Sequence, residues 1–135
     1  MEIVTEIVVF LENRPGTLAR VTEALSEKGV NILGFTVLNS LDHGALRMVV
    51  SNPDVALHLL GEHGMLAFEN EVLYVKLPNK AGALSGLTRA LATKRINVDY
   101  AYGSAGGAGK SHGLYLRVSN TKRALELLKS VPGIQ

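Results

Sequence analysis

Three groups of residues have types and spacings suited to chemistry. The segment Gly103-Ser104-Ala105-Gly106-Gly107-Ala108-Gly109-Lys110-Ser111 ends in the Gly-Lys-Ser of a phosphate-binding loop. Such a loop needs a glycine five residues before that last glycine, and Ser104 stands there. It also needs a helix next, whose free N–H groups meet the phosphate, but His112 to Val118 reads as a strand. The segment is therefore expected to be a flexible hairpin loop, with enough glycine to act as a lid over a ligand. The second group is the four histidines, His43, His58, His63 and His112. They are scattered, and the two on one predicted helix, His58 and His63, face different sides. They are expected at the surface. No carboxylate–histidine set has metal-ligand spacing, and the absence of cysteine removes thiolate nucleophiles, thiolate metal sites and disulfides. With no G-x-S-x-G elbow and no acid/base pair, no catalytic residue, metal or cofactor is expected.

The third group is a pair of loops. Asn13-Arg14-Pro15-Gly16-Thr17-Leu18 and Asn79-Lys80-Ala81-Gly82-Ala83-Leu84 stand 66 residues apart, each ahead of a helical pattern. A glycine at a helix entrance allows close approach to the backbone, and the free N–H groups and dipole there favour a carboxylate. An asparagine side chain offers both donor and acceptor, which suits an ammonium–carboxylate pair. Pro15 becomes Ala81 in the second loop, which is expected to be the less rigid of the two.

The elements that position these loops also repeat. At the same offset Thr22/Thr88, Ala24/Ala90, Leu25/Leu91, Lys28/Lys94 and Asn31/Asn97 are identical, and with two more residues Val50-Ser51-Asn52 meets Val118-Ser119-Asn120. Each copy reads strand, helix, strand, strand, helix. Glu6 to Glu12 and Val72 to Leu77 are β-branched, apolar runs that end at the loops. Leu18, Val21 and Leu25 recur at helical spacing, as do Leu84, Leu87 and Leu91. Gly29 suits a left-handed helix end; its counterpart, Arg95, predicts a different ending. Val30 to Leu38 and Ala45 to Ser51 are predicted strands around a polar turn, Asn39 to Gly44. Pro53 starts a helix with Val55, Leu59 and Leu60 inward, as Ala124, Leu127 and Leu128 are later. Leu66 to Glu69 supplies a short fourth strand. The order βαββαβ predicts an α+β fold: two ferredoxin-like sandwiches of antiparallel sheet with both helices on one face.

On the two loops, the helix stripes and Asn31 and Asn97 eighteen residues after Asn13 and Asn79, the chain resembles the ACT domain family over nearly its whole length, twice. The resemblance implies a first ACT domain over 1–70 and a second over 71–135. It implies an amino-acid-binding regulatory protein, a free amino acid as ligand, a homodimer by default, and a partner enzyme or regulator that reads the bound state. It assigns ligand binding to Asn13, Arg14, Pro15, Gly16, Thr17, Leu18, Asn31 and Ile32. In the second copy it assigns Asn79, Lys80, Ala81, Gly82, Ala83, Leu84, Asn97 and Val98. It further implies that the Asn13 loop faces Asn97 and the Asn79 loop faces Asn31. Some amino-acid-binding members carry a histidine two residues before the loop asparagine. Leu11 and Leu77 stand there instead, which tilts the expected ligand towards a branched-chain, aromatic or other partly apolar amino acid. The alternative is an accessory assembly subunit of an amino-acid-metabolism enzyme with vestigial ligand sites.

Composition agrees with a binding role. A net charge of +2 and 5% aromatic residues give little field or stacking surface for nucleic acid. No apolar run approaches the length of a membrane span, and Met1 to Glu6 lacks the basic start of a secretory signal, so a cytoplasmic protein is expected. The second copy reaches Gln135 where its fourth strand should begin, while Met1 to Thr5 aligns with Ala67 to Glu71. Residues 1–5 are therefore expected to complete the second sheet, since an unpaired edge invites aggregation.

Overall fold

The computed structural model describes residues 1–104 and 110–135. Its elements are β1 (Glu2–Glu12), α1 (Thr17–Glu27), β2 (Ile32–Ser40), β3 (His43–Val50), α2 (Pro53–Glu62), β4 (Ala67–Pro78), α3 (Ala83–Thr93), β5 (Val98–Ser104), β6 (Ser111–Val118) and α4 (Thr121–Lys129). They form two compact units. One is Thr5–Asn70, and the other joins Met1–Val4 to Glu71–Gln135. Each is an antiparallel βαββαβ sandwich of the ferredoxin-like kind. No described helix is long and apolar enough to cross a membrane.

In the Thr5–Asn70 unit the strand order is β2-β3-β1-β4. Alternation along β1 sends Ile7, Val9 and Leu11 to the helix side, where they meet Val21 and Leu25 of α1, Leu59 and Leu60 of α2, and Leu46 and Met48 of β3. On the other side Glu6 is fully buried, with the Arg47 guanidinium 3.6 Å from its carboxylate. A buried carboxylate requires such a partner. In the second unit the order is β5-β6-β4-β1. Leu73, Val75 and Leu77 of β4 pack with Leu87, Leu91, Leu116 and Leu128, and Met1 and Ile3 lie against this core.

Both units end their first helix in the same way. Gly29 has φ 70°, and the N–H groups of Gly29 and Val30 donate to Ser26 and Leu25 carbonyls at 3.0 Å. Arg95 has φ 55°, and Arg95 and Ile96 donate to Ala92 and Leu91 at 2.9 and 3.0 Å. Both are Schellman endings. The expectation of a different ending at Arg95 is thus corrected. Burial of Ile96 and two satisfied carbonyls offset the steric cost of a left-handed arginine.

Other local expectations shift as well. In α2 the inward residue of the first turn is Ala56, whereas Val55 is 39% exposed, because the Asn52 cap sets the helix phase. Strands β2 and β3 extend further into the hairpin, to Ser40 and from His43, and Leu41 turns the chain at φ 45°. The short fourth strand and the run from Val72 join in one continuous strand, Ala67–Pro78, as completion of the second sheet by the N-terminal residues requires. The phosphate-loop reading fails on its second requirement, since Ser111–Val118 is strand. The glycine-rich residues 105–109, on which the lid expectation falls, lie outside the described residues.

Candidate functional site

Each loop turns on its glycine. Gly16 (φ 90°, ψ −15°) and Gly82 (φ 89°, ψ −18°) occupy the N-cap positions of α1 and α3 in the same left-handed conformation. An N-cap glycine has no side chain to accept from the first-turn N–H groups, and neither helix has an acidic residue in that turn. The amino end of each helix therefore keeps its partial positive charge. Leu18 and Leu84, expected on the inward stripes, are 38% and 50% exposed. In α1 the buried set is instead Thr17, Val21, Ala24 and Leu25, and in α3 Leu87 and Leu91. Each loop thus presents an apolar side chain beside a positive helix end.

The loops differ in how they are held. In the first, Asn13 N–H donates to Asp42 O and its side-chain amide to Leu41 O, both at 2.7 Å. The Arg14 guanidinium lies 2.9 Å from the Glu12 carboxylate. The Thr17 hydroxyl sits 2.8 Å from Glu12 O and 2.6 Å from Arg14 O, so it ties the loop's two ends. Ala83 has no hydroxyl to do the same. Backbone bonds of the second loop include Asn79 to Lys110 O (3.2 Å), Lys80 to Pro78 O (2.9 Å) and Ala83 to Lys80 O (3.3 Å).

Asn31 and Asn97 are placed alike. Asn31 N–H donates to Ser51 Oγ and its carbonyl accepts from Ser51 N–H, both at 2.9 Å. Asn97 and Ser119 make the same pair at 3.0 Å, and the Asn97 amide also donates to Asp99 at 2.8 Å. These two serines are outside the expected candidates, and the Val-Ser-Asn that recurs in both copies is the sequence signal for them. Within the first unit the candidates fall into two clefts. Asn13 and Arg14 line one of ≈ 360 Å³ with Glu12, Asp42 and His43. Asn31 and Ile32 line another of the same volume with Thr22 and Ser26. In the second unit Asn79 and Lys80 line a cleft of ≈ 350 Å³ with Lys110 and Gln135, while Lys80 to Ala83 border a smaller one. Asn97 and Val98 stand at the start of β5.

The remaining ionisable groups offer little chemistry. His43, His58 and His63 are exposed; His112 is half-buried, its Nδ1 enclosed without a partner among the described residues. Among those residues no cluster of His, Asp or Glu has the makings of a metal site. On the helix-free face of the second unit, Tyr115 lies between Tyr74 and Tyr102, with ring centroids 5.0 and 5.4 Å away. Burial, then Tyr74 and Glu2, hold its hydroxyl above the ordinary tyrosine range.

Comparison with known proteins places this geometry. The family described as an ACT domain pair matches residues 1–131. A crystal structure of a protein from Bacteroides thetaiotaomicron is 29% identical, covering 94% of this chain and 87% of that one, with a TM-score of 0.89. The ligand-free regulatory subunit of aspartate kinase from Thermus thermophilus is similar at 15% identity, with 98% of each chain covered and a TM-score of 0.72. That subunit from Thermus flavus is similar at 14% identity, with 96% and 94% covered and a TM-score of 0.62. No curated protein matches.

Proposed function

Since the chain belongs to the ACT domain pair family, we propose that it is an amino-acid-binding regulatory protein without catalytic activity. The observation that carries this is the twin helix entrance: Gly16 and Gly82 in one conformation, each opening an uncapped helix end beside an exposed leucine. A helix end of this kind suits the carboxylate of an amino acid, and the leucine suits a partly apolar side chain. Residues 1–70 and 71–135 read as the two domains, with Met1–Val4 completing the second sheet. The break after Asn70 supports the boundary, and the grouping of Met1–Val4 with Glu71–Gln135 supports the completion of the second sheet. Regulation follows if the ligand has different affinities for two arrangements of the protein and a partner enzyme or regulator reads the difference. Thermal denaturation with each of the twenty amino acids tests the reading. A ligand at a hundred times its Kd adds about 2.7 kcal/mol, a rise of roughly 5–15 °C for a chain of this size.

A second reading, an accessory assembly subunit, is favoured by one observation. Strand β2 and its hairpin leave Leu33, Phe35, Leu38 and Leu41 more than half exposed. Such a concentration of apolar side chains suits a protein contact, including a homodimer. A flat amino-acid screen together with a stable dimer in sedimentation would favour it.

A further inference from the structure

The chain's net charge of +2 is unevenly divided. The Thr5–Asn70 unit holds eight Asp and Glu against four Lys and Arg, a net charge of −4. The other unit holds four against ten, a net charge of +6.

The two helix layers carry this difference at matching positions. In α1 Val21 and Leu25 are buried, so Glu23, midway between them, points away from the sheet. In α3 Leu87 and Leu91 are buried in the same way, and the residue between them is Arg89. The second helices repeat the reversal. Asp54 in the first turn of α2 and Lys122 in the first turn of α4 each stand two residues before a buried alanine, Ala56 and Ala124. All four residues are exposed, and among the described residues none of them forms an ion pair within the chain.

Local stability accounts for only half of this pattern. An aspartate in the first turn suits the positive amino end of α2, whereas a lysine at the same place in α4 opposes that dipole. Neighbouring charges reinforce each layer, because α1 packs beside α2 and α3 beside α4. Lys94, Arg95 and Arg123 add to the basic layer, all exposed. Glu27 and Glu62 add to the acidic one, with Arg20 and Lys28 opposing them.

We propose that the helix layer of the Thr5–Asn70 unit is a docking surface for the helix layer of the other unit in a second copy of this chain. The layers share one backbone design and carry opposite charge at matching positions. Layers of unlike sign attract and layers of like sign repel, which selects the unlike pairing. A single exposed ion pair contributes little, so the contact rests on the summed fields and is sensitive to salt. The inference is independent of amino-acid binding and uses a different surface from β2 and its hairpin.

The test is sedimentation velocity of the full chain, with the folding of each variant checked by circular dichroism. The parent is expected to self-associate at low ionic strength. Its dissociation constant is expected to rise at least tenfold at about 1 M salt, where the screening length falls to about 3 Å. Glu23→Arg with Asp54→Lys alters the acidic layer alone, and Arg89→Glu with Lys122→Asp alters the basic layer alone. Each variant is expected to self-associate at least tenfold more weakly than the parent. Their equimolar mixture is expected to associate where neither does alone, because each supplies the layer that the other lacks. Every substitution introduces the residue that the other repeat carries at that position, so both variants are expected to fold. If one unfolds, the salt series on the parent decides alone. Parent association unchanged at about 1 M salt, variants that associate like the parent, or a silent mixture of folded variants overturns the proposal. A parent that stays monomeric at low ionic strength overturns it too; if that monomer binds single-stranded DNA, the basic layer serves a nucleic acid instead.

Discussion

Arg95 takes up, at the end of α3, the left-handed backbone conformation that Gly29 takes up at the end of α1. The repeat has kept its geometry where it has not kept its residue. A left-handed non-glycine residue costs roughly 1–2 kcal/mol, whereas glycine loses more entropy on folding. Arg95→Gly should therefore stabilise the protein by about 0.5–1 kcal/mol, and Gly29→Arg should destabilise it by a similar amount. Urea denaturation midpoints at constant slope measure both.

The Thr17 hydroxyl is the clearest difference between the two loops. Its loss in Thr17→Ala should cost about 1 kcal/mol, the net worth of a part-buried hydrogen bond. Ala83→Thr introduces a hydroxyl at the matching position and should stabilise the second loop by no more than that. Hydrogen exchange at Asn79–Gly82, slower in Ala83→Thr than in the parent, would verify that the geometry transfers.

Met1 and Ile3 pack against the core of the Glu71–Gln135 unit. Removing Glu2–Val4 should uncover the β4 edge in that unit, lower the melting temperature by several degrees and promote aggregation. Unchanged melting and solubility would show that this strand contributes nothing.

Tyr115 should make stability fall in alkali. The folded state holds its hydroxyl above the ordinary tyrosine range. Below about pH 10 both folded and unfolded chains keep the proton, and the fold loses nothing. As pH rises past that value the unfolded chain sheds its proton first, so stability declines up to the folded pKa. Tyr115→Phe should flatten that decline relative to the parent, which urea unfolding at about pH 9 and 11 would reveal.

Repeated patterns were the legible part of this chain. The offset of 66 exposed both copies and their glycine turns, because a left-handed turn is a local backbone requirement met by few residue types. Features that depend on packing were harder to read. Leu18 fits a helical stripe by spacing, yet stays partly exposed at the helix entrance. Val55 and Ala56 are adjacent, and only the cap at Asn52 decides which one faces inward. Arg95 was obscured because its conformation is stabilised by Ile96 and by carbonyls of the preceding turn, not by its own type. The two candidate loops are legible by their spacing, but the serines bonded to Asn31 and Asn97 come from distant segments.

The central claim, that the chain binds a free amino acid at its glycine-turn loops, is tested most directly by calorimetric titration of the full chain with each of the twenty amino acids. The account predicts saturable heat from at least one partly apolar amino acid, weakened at least tenfold by Gly16→Val, Gly82→Val or their combination in protein that still folds. No saturable heat from any of the twenty at millimolar concentration, or binding indifferent to both substitutions, would contradict it.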